Sequence, residues 1–205
     1  MIPFTHLHVH TQYSLLDGQA AVTDLVDKAL ADGMPGLAIT DHGNMFGVKE
    51  IYNYVNGGAL KGYKKKLQKA IDAGDQAKAA KIQNWIDRLK NKEFRLIIGC
   101  EMYVANKTLH EQTDKRDTGR HLVVLAKNKT GYKNLIKLVS KAWTQGFYSH
   151  PRTDKQELAA HREGLIVASA CLGGEIPQLI RHGQIEEAEK QVQWWKETFG
   201  DDYYL

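Results

Sequence analysis

The sequence predicts an α/β protein built on a parallel sheet or barrel, and three observations carry that expectation. Short apolar runs of strand length alternate with longer amphipathic stretches of helical period. Parallel strands need helical crossovers, and the alternation supplies them. Residues able to bind metal stand just past several of the apolar runs, the rim at which βα barrels place their sites. With 205 residues, one domain spanning 1–205 can bury roughly 70% of its unfolded surface.

Taken in order, "FTHLHVHT" alternates Phe4, His6, His8 and His10 with Thr5, Leu7 and Val9, the pattern of a strand carrying its imidazoles on one face. After the loop "YSLLDG", Val22, Leu25, Val26, Ala29 and Leu30 recur at helical spacing, and Gly33 with Pro35 ends that helix before the strand "GLAIT". Asn44 is placed to cap a second helix that buries Phe46, Val48, Ile51, Tyr54 and Val55 and stops at Gly57-Gly58. Residues 60–92 read as an inserted helical hairpin, with Leu67, Ile71, Ile82, Trp85, Ile86 and Leu89 on either side of Ala73-Gly74-Asp75.

The strand "RLIIG" then leads into Cys100 and Glu101, and the polar "NKTLHEQTDKRDTG" is a loop. "HLVVLA" is a strand, followed by a helix from about Thr130 marked by Leu135, Ile136, Leu138, Val139, Ala142 and Trp143. "QGFYSHPRTD" reads as a linker before a short helix. The strand "GLIVASA", the turn "CLGGEIP", a helix from about Gln184 to Thr198 and the beginning of a strand in "DDYYL" complete the series.

Composition narrows the class. No run approaches the roughly 18 apolar residues of a membrane span, and "MIPFTHLHVHT" lacks the basic start and apolar core of a signal peptide, so a cytoplasmic protein with no membrane partner is expected. Cys100 and Cys171 form no CxxC pair, which points to reduced thiols, each a core residue or a ligand. The net charge of +4 is uneven: residues 61–92 hold ten Lys/Arg and three Asp, or +7, leaving −3 elsewhere. Such a segment can attract nucleic acid, although lysines on a helical hairpin more often form a solvated face, and that is the expectation here. There is no P-loop, GxGxxG or GxSxG, which argues against nucleoside-triphosphatase, dehydrogenase and serine-hydrolase chemistry.

The histidines point elsewhere. At this histidine content HxHxH arises by chance roughly 0.02 times per chain, and two imidazoles at i and i+2 of a strand project toward one ion. Asp17 follows in the next loop, His42 stands just past "GLAIT", Glu101 past "RLIIG" and Cys171 past "LIVASA". Any one of these could serve as a turn or cap. Together, His8, His10, Asp17, His42, Glu101 and Cys171 predict a metal cluster too large for one tetrahedral ion. Two or three divalent ions that activate water suit phosphoester hydrolysis, with the attacking water held among His8, His10, Asp17 and Glu101 as the catalytic set. His121 begins its strand, so spacing alone does not select it; His6 is expected deeper in its strand, and His110, His150, His161 and His182 as ordinary loop or surface residues.

Through "HLHVHT", "SLLDG" and "ITDHGNMFG" the chain resembles the polymerase and histidinol phosphatase (PHP) family. "AITDHGNMFG", "IIGCEMYVA", "HLVVLAKN", "ASACLGGEIP" and "FGDDYYL" extend the resemblance to the PHP domains that open bacterial replicative DNA polymerases. That resemblance implies a distorted (β/α)7-type barrel and metal ligands at His8, His10, Asp17, His42, Glu101, His121 and Cys171, holding zinc, manganese or iron, with magnesium a further candidate. It also implies an Asp-x-His pair and last strands beyond residue 205, nucleotide addition located outside 1–205, and 3′-5′ exonuclease or proofreading activity at the metals. DNA and other polymerase subunits, such as the proofreading subunit, are the implied partners. Thr153 in "SHPRTD" and the 60–92 hairpin depart from the family pattern. A free-standing phosphatase of the histidinol-phosphatase type and a non-catalytic domain of a polymerase are the alternatives.

Overall fold

A computed structural model describes residues 4–112 and 117–205, which group into two compact units. One comprises the chain up to Ile39 together with Phe46–Ile97, the other Thr40–Met45 with Ile98–Leu205.

In the first unit, α1 (Val22–Ala31) buries Val22, Val26, Ala29 and Leu30 on one stripe, and Gly33 at φ +72° turns the chain out of it. The strand β1 (Gly36–Ile39) is wholly buried, and a side chain at Gly36 would meet the Arg95 carbonyl at 2.4 Å. The expected cap at Asn44 does not form: α2 (Val48–Asn53) starts after Gly47, and Phe46 is 61% exposed. The double glycine does end the helical path, as expected: Asn56 and Gly57 take non-helical backbone angles. The chain kinks there, with Gly57 at φ +143°, and a separate helix, α3 (Ala59–Asp72), begins beyond it. The hairpin is as anticipated: α4 (Gln76–Lys90) returns after Gly74 at φ +69°, and the Asp75 carboxylate caps it by accepting the Lys78 N–H at 3.0 Å. Arg88 donates to the Met34 carbonyl, and Tyr63 and Tyr54 donate to Asp27 of α1 at 2.5 and 2.6 Å.

The N-terminal segment is not the predicted strand. Bends at Leu7 and His8 interrupt the alternation, and its link to β1 is the bond from the Ala38 N–H to the His6 carbonyl at 3.0 Å. His6 is exposed with its ring edge-on to Phe4, not buried.

Among the described residues the sheet has seven strands, in the order β4 (Phe147–Tyr148), β5 (His150–Thr153), β2 (Arg95–Val104), β3 (Arg120–Ala126), β6 (Leu165–Ala168), β7 (Tyr203–Tyr204), with β1 also paired to β2. It is mixed rather than parallel. The strand β2 (Arg95–Val104) pairs antiparallel with β3 (Arg120–Ala126), which pairs antiparallel with β6 (Leu165–Ala168), while β7 (Tyr203–Tyr204) joins β6 in parallel. The reason lies in the connection: 105–112 and 117–119 contain no helix, and without a helical crossover the chain returns antiparallel. Part of the predicted polar loop, 113–116, lies outside the described residues. The expected linker is instead a hairpin of β4 (Phe147–Tyr148) and β5 (His150–Thr153) around Ser149 at φ +61°, with β5 parallel to β2. The Arg152 guanidinium, fully buried, donates to the carbonyls of Asp117 and Glu111 at 3.1 and 2.8 Å. Thr153 is buried in this strand, its carbonyl accepting the Ala105 N–H at 2.8 Å.

Against one face of this sheet lie α5 (Lys129–Thr144), capped by Asn128, α6 (Lys155–Ala160), capped by Asp154, and α8 (Ile185–Phe199). Their core includes Met102, Leu122, Leu135, Leu138, Val167 and Trp195. Within the predicted turn lies a further helix, α7 (Glu175–Arg181), whose Pro177 sits in the first turn, where a missing N–H is tolerated. No helix among the described residues is long and apolar enough to cross a membrane.

Candidate metal centre

Alternation along β2 and β3 sorts the second unit into two faces. Cys100, Met102 and Val104 enter the core together with Leu122 and Val124. Glu101 and Tyr103 therefore point to the other face, beside His121 and Val123, because Glu101 is in register with Val123 and Tyr103 with His121. Glu101 is thus mid-strand, not past its end. Gly99, which reads as a stop, is a point of close approach, since a side chain there would meet the Leu125 side chain at 2.6 Å and the Val124 carbonyl at 2.7 Å.

His42 is set beside Glu101 by a parallel bridge: the Glu101 N–H donates to the Asp41 carbonyl at 3.0 Å and the Gly43 N–H to the Glu101 carbonyl at 2.8 Å. Gly43 has φ +60°, a side chain there would strike Pro151 at 2.5 Å, and its carbonyl accepts from the Trp143 indole at 2.8 Å. Asn44 donates to the His42 carbonyl at 3.0 Å.

His121 is held by the turn after β6. Its N–H donates to the Gly173 carbonyl at 3.1 Å, and a side chain on Gly173 would press on the imidazole at 3.0 Å. Ala170, at φ +63°, starts the turn that swings Cys171 to this side. The antiparallel direction of β3 brings its first residues to the end where β6 finishes, so His121 belongs with Cys171 although it begins its strand.

The result is a cluster of four donors. The Glu101 carboxylate, 1% exposed, places Oε1 2.8 Å from His121 Nδ1 and Oε2 2.9 Å from His42 Nδ1. Cys171 Sγ lies 3.4 Å from His121 Nδ1 and 3.7 Å from Glu101 Oε1, and accepts the Gly173 N–H at 3.4 Å. Metal–ligand bonds of about 2.0–2.3 Å in a tetrahedron separate the donors by about 3.3–3.8 Å. The Cys171 spacings already fall in that range, the two Glu101–imidazole spacings need to open by about half an ångström or more, and two imidazoles, a carboxylate and a thiol are the donors zinc and iron prefer. The donor set fits a metal.

Two neighbours of this cluster escape a reading for ligands. Tyr103 stacks on His42 (centroids 5.9 Å, 20°) and meets His121 edge-on (5.2 Å, 87°), a role signalled only by its place two residues after Glu101. His150, expected as an ordinary loop residue, packs its ring 4.5 Å from that of Tyr103. Burial, then the His121 and His42 rings, pull its pKa down. Cys100 is the core residue of the two cysteines: its thiol donates to the Asp41 carbonyl at 3.4 Å, and burial, then Asp41 and Glu101, push its pKa well up.

Of the other predicted ligands, His8 and His10 lie in the first unit with rings edge-on, 5.0 Å apart. His10 Nδ1 is 3.1 Å from Ser14 Oγ, inside a tight loop where Gly18 packs against the Thr11 carbonyl. Asp17 is exposed in that loop, its N–H donating to the Ser14 carbonyl at 3.1 Å.

Comparison with known proteins accords with this chemistry. Residues 6–205 match the family model described as "PHP domain". The chain is similar to the DNA polymerase III subunit alpha of Borreliella burgdorferi, 43% identical over 98% of this chain and 15% of that protein. It is also similar to those of Treponema pallidum (39%, over 98% and 14%) and Thermus aquaticus (37%, over 100% and 14%). The chain thus spans about a seventh of the length of these relatives. A match over nearly every residue means that the chain belongs to the PHP family.

Proposed function

We propose that residues 1–205 are the PHP domain of a bacterial replicative DNA polymerase alpha subunit and form a divalent-metal site that hydrolyses phosphoesters. The observation that carries this reading is the grouping of His42, Glu101, His121 and Cys171 at donor spacings on one face of β2 and β3. His8, His10 and Asp17 complete the ligand set in this proposal, on the strength of their spacing in the sequence and of family membership. The mixed sheet is then part of a distorted (β/α)7-type barrel. Bound ions would supply an activated water and shield the charge that develops on phosphate oxygens.

The chain's own residues set the conditions for that chemistry. Glu101 presents one carboxylate oxygen to each of two imidazoles and so fixes both rings. Tyr103 walls the rings from the side, and the Cys171 thiol favours zinc or iron over magnesium. The substrate in this reading is the 3′ end of DNA, and the partners are DNA and the other subunits of a replicative polymerase.

The test is release of mononucleotide from 3′-labelled single-stranded DNA by the purified protein with Mn²⁺ or Zn²⁺. Metal-dependent release that His42→Ala and Glu101→Gln abolish is expected. Stoichiometric metal with no release would refute hydrolysis and leave the site a structural one.

A further inference from the structure

The hairpin of α3 and α4 carries a second feature, independent of the metal cluster. Lys66 and Lys69 on α3 and Lys78 and Lys81 on α4 line a groove of about 480 Å³, with Trp85 in its wall. Both helices bury residues along their length, Tyr63, Ile86 and Leu89 among them, while the buried Ala70 and Ile82 also line the groove.

The carboxylates nearby are largely engaged. Asp75, which also lines the groove, accepts the Lys78 backbone N–H, Asp72 accepts from the Gln68 amide at 2.8 Å, and Asp87 from the Gln83 amide at 2.8 Å. Lys66 reaches Asp27 at 3.3 Å. Among the described residues, Lys69, Lys78 and Lys81 have no carboxylate within ion-pair distance. Three exposed cations from two helices therefore face one groove that Asp75 alone of the lining residues offsets in charge. The aromatic wall is held in place: Trp85 packs on the Tyr63 ring with centroids 5.7 Å apart and remains partly exposed.

We infer that this groove binds single-stranded DNA, its phosphates on Lys69, Lys78 and Lys81 and a base against Trp85. Ammonium groups along a groove beside an exposed aromatic face are the two elements of single-strand recognition. A single strand can present both its phosphates and an unstacked base to such a surface, whereas a duplex keeps its bases stacked and offers Trp85 none. The relatives' description as DNA polymerase subunits selects DNA as the strand.

The test is fluorescence anisotropy of a labelled 20-nucleotide oligo-dT with the 205-residue chain, titrated between 50 and 200 mM salt. Binding should weaken with salt, and the triple variant Lys69→Gln, Lys78→Gln, Lys81→Gln should lower the log–log slope by about 2, from about 0.7 per phosphate contact. A charge-matched control, Lys129→Gln with Lys133→Gln and Lys137→Gln on α5, should keep affinity and slope. Trp85→Ala should weaken binding about 5- to 150-fold with the slope retained. An unchanged slope in the groove variant, or equal loss in the control, would overturn the assignment. So would a duplex competitor as effective as the single strand.

Discussion

Asp27→Ala tests how the basic hairpin is fastened to the rest of its unit. Asp27 Oδ1 accepts from Tyr63 at 2.5 Å and from Tyr54 at 2.6 Å, and Tyr63 is only 1% exposed. A hydrogen bond to a charged group contributes about 1.5–3 kcal/mol, and a stranded buried hydroxyl adds its desolvation. The exposed Lys66 ion pair adds a few tenths at most. With the Tyr54 bond counted at the low end because that residue is half-exposed, the loss is about 2–4 kcal/mol, or roughly 5–15 °C in melting temperature. Tyr63→Phe removes one bond without stranding a donor and should cost about 1–2 kcal/mol, and the double variant should show coupling of similar size.

The assay is urea denaturation followed by circular dichroism, repeated from pH 9 to 12. Burial, then Asp27, raises the pKa of Tyr54 to about 12 and that of Tyr63 further. The fold favours the protonated phenols, so their contribution is complete below about pH 10 and declines above it, that of Tyr54 being lost as pH climbs through 12 and that of Tyr63 only at higher pH. Asp27→Ala should flatten that alkaline loss. A destabilisation under 0.5 kcal/mol together with zero coupling would refute the argument.

Three further outcomes follow from the same geometry. Iodoacetamide should label Cys171, which is exposed, and spare Cys100, which is buried; mass spectrometry reads the sites, and zinc should protect Cys171. Gly131→Ala should destabilise by more than about 2 kcal/mol in the same urea assay, because the added methyl would lie 1.7 Å from the Gly164 carbonyl. Tyr103→Ala should lower metal affinity about 10- to 100-fold by releasing the His42 and His121 rings, with Tyr103→Phe restoring it; competition against a chelating dye measures both.

The elements legible in the sequence were those with local causes. Helical period and Gly74-Asp75 placed the hairpin, and apolar runs placed β1, β3 and β6. What escaped depends on distant partners. Arg152 is polar in sequence yet sits inside the structure because the carbonyls of Glu111 and Asp117 receive it, so β5 looked like linker. Gly99 resembles a stop until Leu125 is seen against it. The same holds at the site. His42, Glu101 and Cys171 were readable as ligand types beside strands, whereas His121 needed the strand direction, and His150 needed Tyr103 packed beside it.

The most direct test of the metal centre is a cobalt titration followed in the near ultraviolet, where a thiolate bound to Co²⁺ absorbs. A saturating band is predicted for the native chain, absent in Cys171→Ser, weakened in His42→Ala and His121→Ala, and unchanged in Cys100→Ala. Cobalt bound without that band, or a band that survives Cys171→Ser, would contradict the account.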